Sequence, residues 1–151
     1  MNTAFVIPAQ AKWSKIKTIY DSNIDCIPLL LRVEALIELA VAVTAYRHAG
    51  GTWLLFAGLF LVPDVSMAGY IVGPRAGARL YNLGHTYIAP ALLALVGVVM
   101  AIKVAYLSAL IWAAHIGFDR ILGYGLKYPT AFHATHLGWK GPRGVSDREP
   151  R

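Results

Sequence analysis

The sequence predicts an all-α, polytopic membrane protein: a four-transmembrane-helix bundle with an N-terminal interfacial segment and a short cytoplasmic tail. Hydrophobic residues make up 57% of the chain and its mean hydropathy is +0.53, above the apolar share of soluble domains. Four apolar runs, residues 27–46, 52–72, 80–102 and 104–126, approach the roughly 20 residues a helix needs to cross a hydrocarbon core. Buried strands do not explain them, because strands rarely exceed about ten residues. The breaks hold Gly50-Gly51, Gly73-Pro74-Arg75 and Lys103. With 151 residues there is room for one membrane domain, 27–126, flanked by an interfacial segment, 1–26, and a tail, 127–151.

The N-terminal residues lack a charged start, an apolar core and a small-residue cleavage site, so no cleavable signal peptide is expected. Trp13, Ile16, Ile19, Tyr20 and Ile24 recur at near-helical spacing among Lys12, Lys15 and Lys17. That suits a helix lying in the membrane interface, although a basic flank that only sets topology fits the same residues. Asp25 is placed to cap the first span, with Pro28 tolerated in its first turn. The single Cys26 excludes an intrachain disulfide and a cysteine-rich metal site. In the second span Pro63 frees a backbone carbonyl next to Asp64 and can kink the helix there. Gly69, Gly73, Gly77 and Gly84 permit close approach of the second and third helices. Trp53, Tyr70, Tyr106 and Tyr124 near span ends read as interfacial anchors. Phe132, His133, His136 and Trp139 either cap the cytoplasmic mouth or rest loosely at the interface. Beyond them Gly, Pro and charge dominate, as in a disordered tail.

Lys and Arg set the orientation. Lys12, Lys15 and Lys17, then Arg75 and Arg79, then Lys127, Lys140, Arg143, Arg148 and Arg151 share one side, against Arg47 and Lys103 on the other. The positive-inside rule places both termini in the cytoplasm. The net charge of +6 is then a topology signal and an attraction to anionic headgroups. No separate basic domain exists to read nucleic acid.

Ionisable groups inside the apolar runs are the strongest functional sign: Glu34, Glu38, Asp64, His85, His115 and Asp119. Each costs roughly 2.5–3.5 kcal/mol or more at the bilayer centre. From the cytoplasmic ends, Glu34 and Asp119 lie about 10 Å deep, Asp64 about 12 Å, His85 about 8 Å, and Glu38 and His115 about 16 Å. All four helices thus deliver polar groups to one layer. Glu34 and Glu38 share a helix face, as do His115 and Asp119, and Asn82 lies three residues before His85.

Asp64, His85, His115 and Asp119 form a ligand set suited to a divalent cation such as Zn, Mn or Fe. Three ligands and an open position would yield an activated water for hydrolysis. Glu34 or Glu38 would serve as general base or orient a ligand, and His136 is a candidate extra ligand. Plainer roles fit the same residues: an intrahelical His115–Asp119 bond, a structural ion pair of Glu34 with Arg32 or Arg120, Arg32 and Arg120 reaching to the interface, and an interhelical bond from Asn82. At that depth the natural substrate is a lipid or another small amphiphile entering sideways.

The strings Pro63-Asp64-Val65-Ser66-Met67, Gly69-Tyr70, Gly73-Pro74-Arg75 and Tyr81-Asn82-Leu83-Gly84-His85-Thr86-Tyr87 resemble a small bacterial membrane family, domain of unknown function 4260. The likeness continues through Ala114-His115-Ile116-Gly117-Phe118-Asp119-Arg120, Gly123-Tyr124-Gly125-Leu126-Lys127-Tyr128 and Thr135-His136-Leu137-Gly138, covering about residues 29–139. It implies a place in the bacterial inner membrane and no particular activity. More loosely, Pro63-Asp64, His85-Thr86 and His115 with Asp119 follow the order seen in LexA-regulated membrane-bound metal-dependent hydrolases. Those proteins show Thr-His-Ser where this chain has His85-Thr86-Tyr87. Alongside a metal-dependent hydrolase stand a metal-free isomerase, hydratase or cyclase using the carboxylates, a haem-binding electron carrier with His85 and His115 as axial ligands, and a transporter or assembly subunit.

Overall fold

The computed structural model describes residues 9–130 and 133–139. Its first helix, α1 (Ala9–His48), runs without interruption through Asp25 and Pro28. Asp25 therefore lies within the helix and not at its start, and no break separates an interfacial segment from the first span. The expected interfacial face of Trp13 to Ile24 concerns side chains outside the described set, as do Phe132, Trp139 and residues 140–151. At its other end α1 stops at Gly50, whose φ of 74° is left-handed and open to glycine at little cost. The Gly50 and Gly51 amides close the helix on Arg47 O and Tyr46 O, a Schellman pair. The fully buried Tyr46 then ties the corner by donating to Thr52 O at 2.6 Å.

The second apolar run is two helices in series. α2 (Trp53–Phe60) opens on Thr52, whose hydroxyl accepts from Leu55 N. A 3-10 helix (Val62–Ile71) follows, with Pro63 in its first turn where a missing N–H costs nothing. Eight α residues rise about 12 Å and ten 3-10 residues about 20 Å, so together they still cover a hydrocarbon core.

The third run begins earlier than its hydropathy suggests and is broken. α3 (Pro74–Gly84) takes in Arg75 and Arg79, expected as loop residues, because Pro74 is preorganised for a helix start. α3 ends at Gly84, and α4 (Ile88–Val99) starts only after His85, Thr86 and Tyr87. α5 (Lys103–Ile121) ends five residues before the predicted span does. Gly123, with φ 84°, terminates it through Gly123 N to Arg120 O and Tyr124 N to Asp119 O. A small antiparallel pair, β1 (Ala134–Thr135) and β2 (Gly138–Trp139), completes the described fold.

α5 is the central element, packed on α1 and α4 along its length and touching α2 and the 3-10 helix. Its buried residues run from Leu107 through Ala114, His115, Ile116 and Gly117. On α1 the matching stripe is Leu31, Ala35, Leu39, Ala42 and Tyr46, at helical spacing. A Cβ at Gly117 would meet Ala35 O at 3.0 Å and Leu39 N at 3.2 Å, so α1 and α5 approach there as small residues allow. α3 packs on the 3-10 helix, with Gly69 against Leu80, Gly77 against the Tyr70 ring and Gly84 against Ser66. Gly73 takes no part in that contact; its φ of 148° turns the chain into α3.

Trp53–Ile71 and Pro74–Val99 are long and apolar enough to cross a membrane. The α4–α5 corner makes a test of the packing. Ala101 holds φ 54°, a conformation costing a non-glycine residue about 1–2 kcal/mol, while its amide and that of Ile102 close α4 on Val98 O and Gly97 O. Ala101→Gly should raise the unfolding free energy in detergent by about 0.5–1 kcal/mol after glycine's own entropy cost. Gly97→Ala should lower it, because the new Cβ would lie 2.5 Å from Tyr106 N. The opposite sign for either variant contradicts this corner.

Candidate metal centre

Where α3 breaks, its free carbonyls are taken up by groups that also build the site. His85 N–H bonds to Asn82 O at 3.2 Å, and the His85 ring donates from Nδ1 to Tyr81 O at 2.9 Å. A carbonyl can only accept, so neutral His85 carries its proton on Nδ1 and points an Nε2 lone pair inward. Trp112 Nε1 donates to Gly84 O at 2.6 Å, fastening the break to α5. The Tyr81 ring, four residues before His85, stacks on it at 3.8 Å between centroids.

α5 presents His115 and Asp119 one turn apart. Phe60 stands edge-on to His115, centroids 5.2 Å apart, and Asp64 arrives from the first turn of the 3-10 helix. His85 Nε2 and His115 Nε2 are 3.2 Å apart. His85 Nε2 lies 3.5 Å from Asp64 Oδ1 and 3.5 Å from Asp119 Oδ2. His115 Nε2 lies 3.6 Å from Asp64 Oδ1 and 3.9 Å from Asp119 Oδ2. One ligand atom from each residue falls within 4.8 Å of all the others.

A tetrahedral cation with bonds of about 2.0–2.1 Å separates its ligand atoms by about 3.3 Å. The five separations that involve a histidine, 3.2–3.9 Å, lie close to that value and all four ligand atoms fall within 4.8 Å, so the group could hold a metal ion once its side chains close in on it. The histidines are sealed, at 3% and 2% side-chain exposure, whereas Asp119 retains 17% and Asp64 40%. Asp64 is thus the accessible edge. It opens on a cavity of about 310 Å³ lined by Asp64, Met67, Tyr81, Asp119, Tyr124 and Lys127. The Tyr81 hydroxyl donates to Asp119 Oδ2 at 3.4 Å.

The other candidates separate. Glu34 and Glu38 are exposed and lie outside the cluster; the expected inward-facing Glu34 is not observed. Ala35 and Leu39 carry the face of α1 that packs on Gly117, and each glutamate sits one residue, about 100°, off that stripe. Arg120 stacks over the Tyr87 ring at 4.7 Å. His136 stands outside the cluster: its Nδ1 accepts from Leu126 N at 2.8 Å while its own amide donates to Leu126 O at 3.0 Å. Burial lowers its pKa, favouring the neutral ring this clasp requires. Asn82 uses both ends of its amide on the backbone of Lys127, donating to O at 2.9 Å and accepting from N at 2.7 Å. A haem between His85 and His115 finds no room, because their facing nitrogens stand 3.2 Å apart in a sealed cluster.

A family model described as Domain of unknown function (DUF4260) matches residues 28–139, most of the chain. The chain belongs to this family. The DUF4260 region contains all four clustered residues together with Asn82, Lys127 and His136. Neither the curated proteins nor the solved structures gave a match.

Sequence reasoning passed over Tyr81, Trp112 and Lys127. Helical spacing offered the first two, since Tyr81 precedes His85 by four residues and Trp112 precedes His115 by three. Lys127 was counted only as a topological charge, yet it is buried, with Nζ 4.5 Å from the Tyr81 ring centroid and 5.3 Å from that of Tyr70. Burial pushes its ammonium down from 10.5 to about 8, against the opposing pull of Asp119 and Asp64. Between these values the unfolded chain binds a proton that the folded one does not, so stability rises with pH through that window and is level below it. In metal-free protein, wild type should therefore gain stability relative to Lys127→Met as pH rises from about 8 to 10.5. Parallel thermal-unfolding profiles for the two proteins would count against a buried lysine.

Proposed function

We propose that this protein is a membrane-embedded, metal-dependent hydrolase acting on a lipid or other amphiphile from the cytoplasmic leaflet. The observation that carries it is the convergence of two imidazoles and two carboxylates on one point. The partial exposure of one of them, Asp64, onto a cavity adds to it. In this reading His85, His115 and Asp119 hold a divalent Zn, Mn or Fe ion from the sealed side. Asp64 faces the cavity as a displaceable ligand and as the base that orients the attacking water. That role moves to Asp64 because Glu34 and Glu38 lie outside the cluster. Neutral His115 can rest with its proton on Nε2, directed at the His85 lone pair. Binding a cation through Nε2 would require the other neutral tautomer of His115, with its proton on Nδ1.

The membrane setting is part of the same proposal. Beyond the two apolar stretches, α1 exposes Leu29, Leu30, Leu36, Ile37 and Val41, and α4 exposes Ile88, Leu92, Leu95, Val98 and Val99. Faces of that composition favour lipid over water. They support four spans in the bacterial inner membrane, and the Lys and Arg distribution supports cytoplasmic termini. Cysteines placed in residues 140–151 of a Cys26→Ser background should then react only from the cytoplasmic side. Labelling from the other side overturns the orientation.

Metal content decides the chemistry. Detergent-purified wild type should carry a divalent metal, and His85→Ala or His115→Ala should each lower occupancy at least tenfold, while His48→Ala, at the C-terminal end of α1 and outside the cluster, leaves it intact. Acid should eject the metal, because protons and cation compete for the same imidazole lone pairs. Equal metal content across these proteins would defeat the hydrolase reading.

A further inference from the structure

The tail does more at this site than follow a helix. After Gly123 ends α5, Tyr124 and Gly125 lead to Leu126, which His136 holds through two hydrogen bonds. A Cβ at Gly125 would sit 2.5 Å from His136 Nδ1, so that clasp needs a glycine. The next residue, Lys127, is gripped by both hydrogen bonds of Asn82 and bridged to Thr135. Two segments, α3 and the β1–β2 hairpin, therefore fix the backbone around one lysine, whose side chain lines the cavity at the accessible edge of the candidate metal centre. The ammonium stands against the faces of Tyr81 and Tyr70, an arrangement that holds a desolvated cation in place.

The charges then point to a ligand. Asp64 and Asp119 are the carboxylates that act electrostatically on Lys127, and both belong to the candidate ligand set. A divalent cation neutralises them and leaves the ammonium as one net positive charge beside it. Buried charge of that kind is costly unless an anion accompanies it. That anion has to face the cation with one oxygen and Lys127 with another. A tetrahedral phosphate offers oxygens in divergent directions, whereas the two oxygens of a carboxylate lie close together on one side. Met67 and Tyr124 in the same wall provide contact for carbon rather than charge.

We propose that this cavity takes the phosphate-bearing head of an amphiphile, held jointly by Lys127 Nζ and the metal, with Asn82 as the residue that positions Lys127. The inference rests on the metal-hydrolase reading and names its substrate class. The test uses full-length protein loaded with Mn²⁺ in a neutral detergent, its metal content measured first, and dodecyl phosphate and inorganic phosphate as probes. Binding is read by calorimetry and by paramagnetic broadening of the phosphorus resonance. Wild type should bind dodecyl phosphate and broaden its signal. Lys127→Gln should weaken binding at least tenfold with metal content unchanged, Lys127→Arg should restore most of it, and Asn82→Ala should fall between. Inorganic phosphate bound as tightly as dodecyl phosphate would uphold the anion site and assign it to free phosphate. A loaded protein whose phosphate affinity ignores Lys127 overturns this inference alone. A protein that retains no metal overturns the hydrolase reading beneath it.

Discussion

Two imidazole nitrogens 3.2 Å apart, with carboxylate oxygens beside both, are a constraint that the rest of this fold has to satisfy. The His85 lone pair faces His115, so the pair is tolerable only with a proton or a cation between the rings. The two aspartates impose the same condition, because like charges within 4.8 Å repel strongly where water is scarce. A single divalent ion meets both conditions at once. Separate protons would have to be shared unevenly among four groups. Ion pairs buried for stability alone are seldom worth their desolvation, which makes this convergence a candidate for holding a cation.

The helix irregularities follow from that constraint. A continuous third helix would turn the His85 amide back into its own ladder and leave no free Tyr81 carbonyl to fix the ring. Ending α3 at Gly84 creates open carbonyls, and His85 and Trp112 occupy them. The break is covered by protein at Gly84 and His85, and Gly84 also lines a cavity. The long 3-10 segment serves the neighbouring requirement. It brings Asp64 to the cluster at its start and lays Ser66 and Gly69 against α3 along its length.

The helical class and the four clustered residues were legible in the sequence, for different reasons. Apolar run length reports whether a segment can cross a bilayer, and Trp53–Ile71 satisfies it despite its change of helix type. Ionisable groups stand out in apolar runs because each is expensive there, so Asp64, His85, His115 and Asp119 could be picked out together. The same reasoning failed for Glu34 and Glu38. Depth along a helix can be counted from sequence, but the facing direction depends on which stripe packs, and small residues such as Ala35 and Ala42 hide that stripe from a hydropathy reading. The α3 boundaries were missed because Arg75 and Arg79 depress hydropathy without opposing helix formation. Lys127 was missed because a charge beyond the last apolar run looks solvated until Asn82 and Thr135 are seen to hold it.

The asymmetry of the cluster sets the direction of any chemistry there. His85 and His115 are buried, with the Tyr81 ring stacked on the first and Phe60 edge-on to the second. Asp64 is the exposed member, and the cavity it faces holds Lys127. A second, apolar cavity of about 440 Å³ borders the same ligand-bearing segments at Pro63, Gly84 and Trp112. A substrate with both a charged and a greasy part would therefore find the two environments on either side of one helix pair, α3 and the 3-10 segment. The glycine contacts that bring this pair together leave little slack between them. Adding bulk at Gly84, whose Cβ would press on Ser66 Oγ at 2.9 Å, would spread the pair and separate Asp64 from His85. Such a change touches no ligand, yet it acts on the spacing that the centre requires.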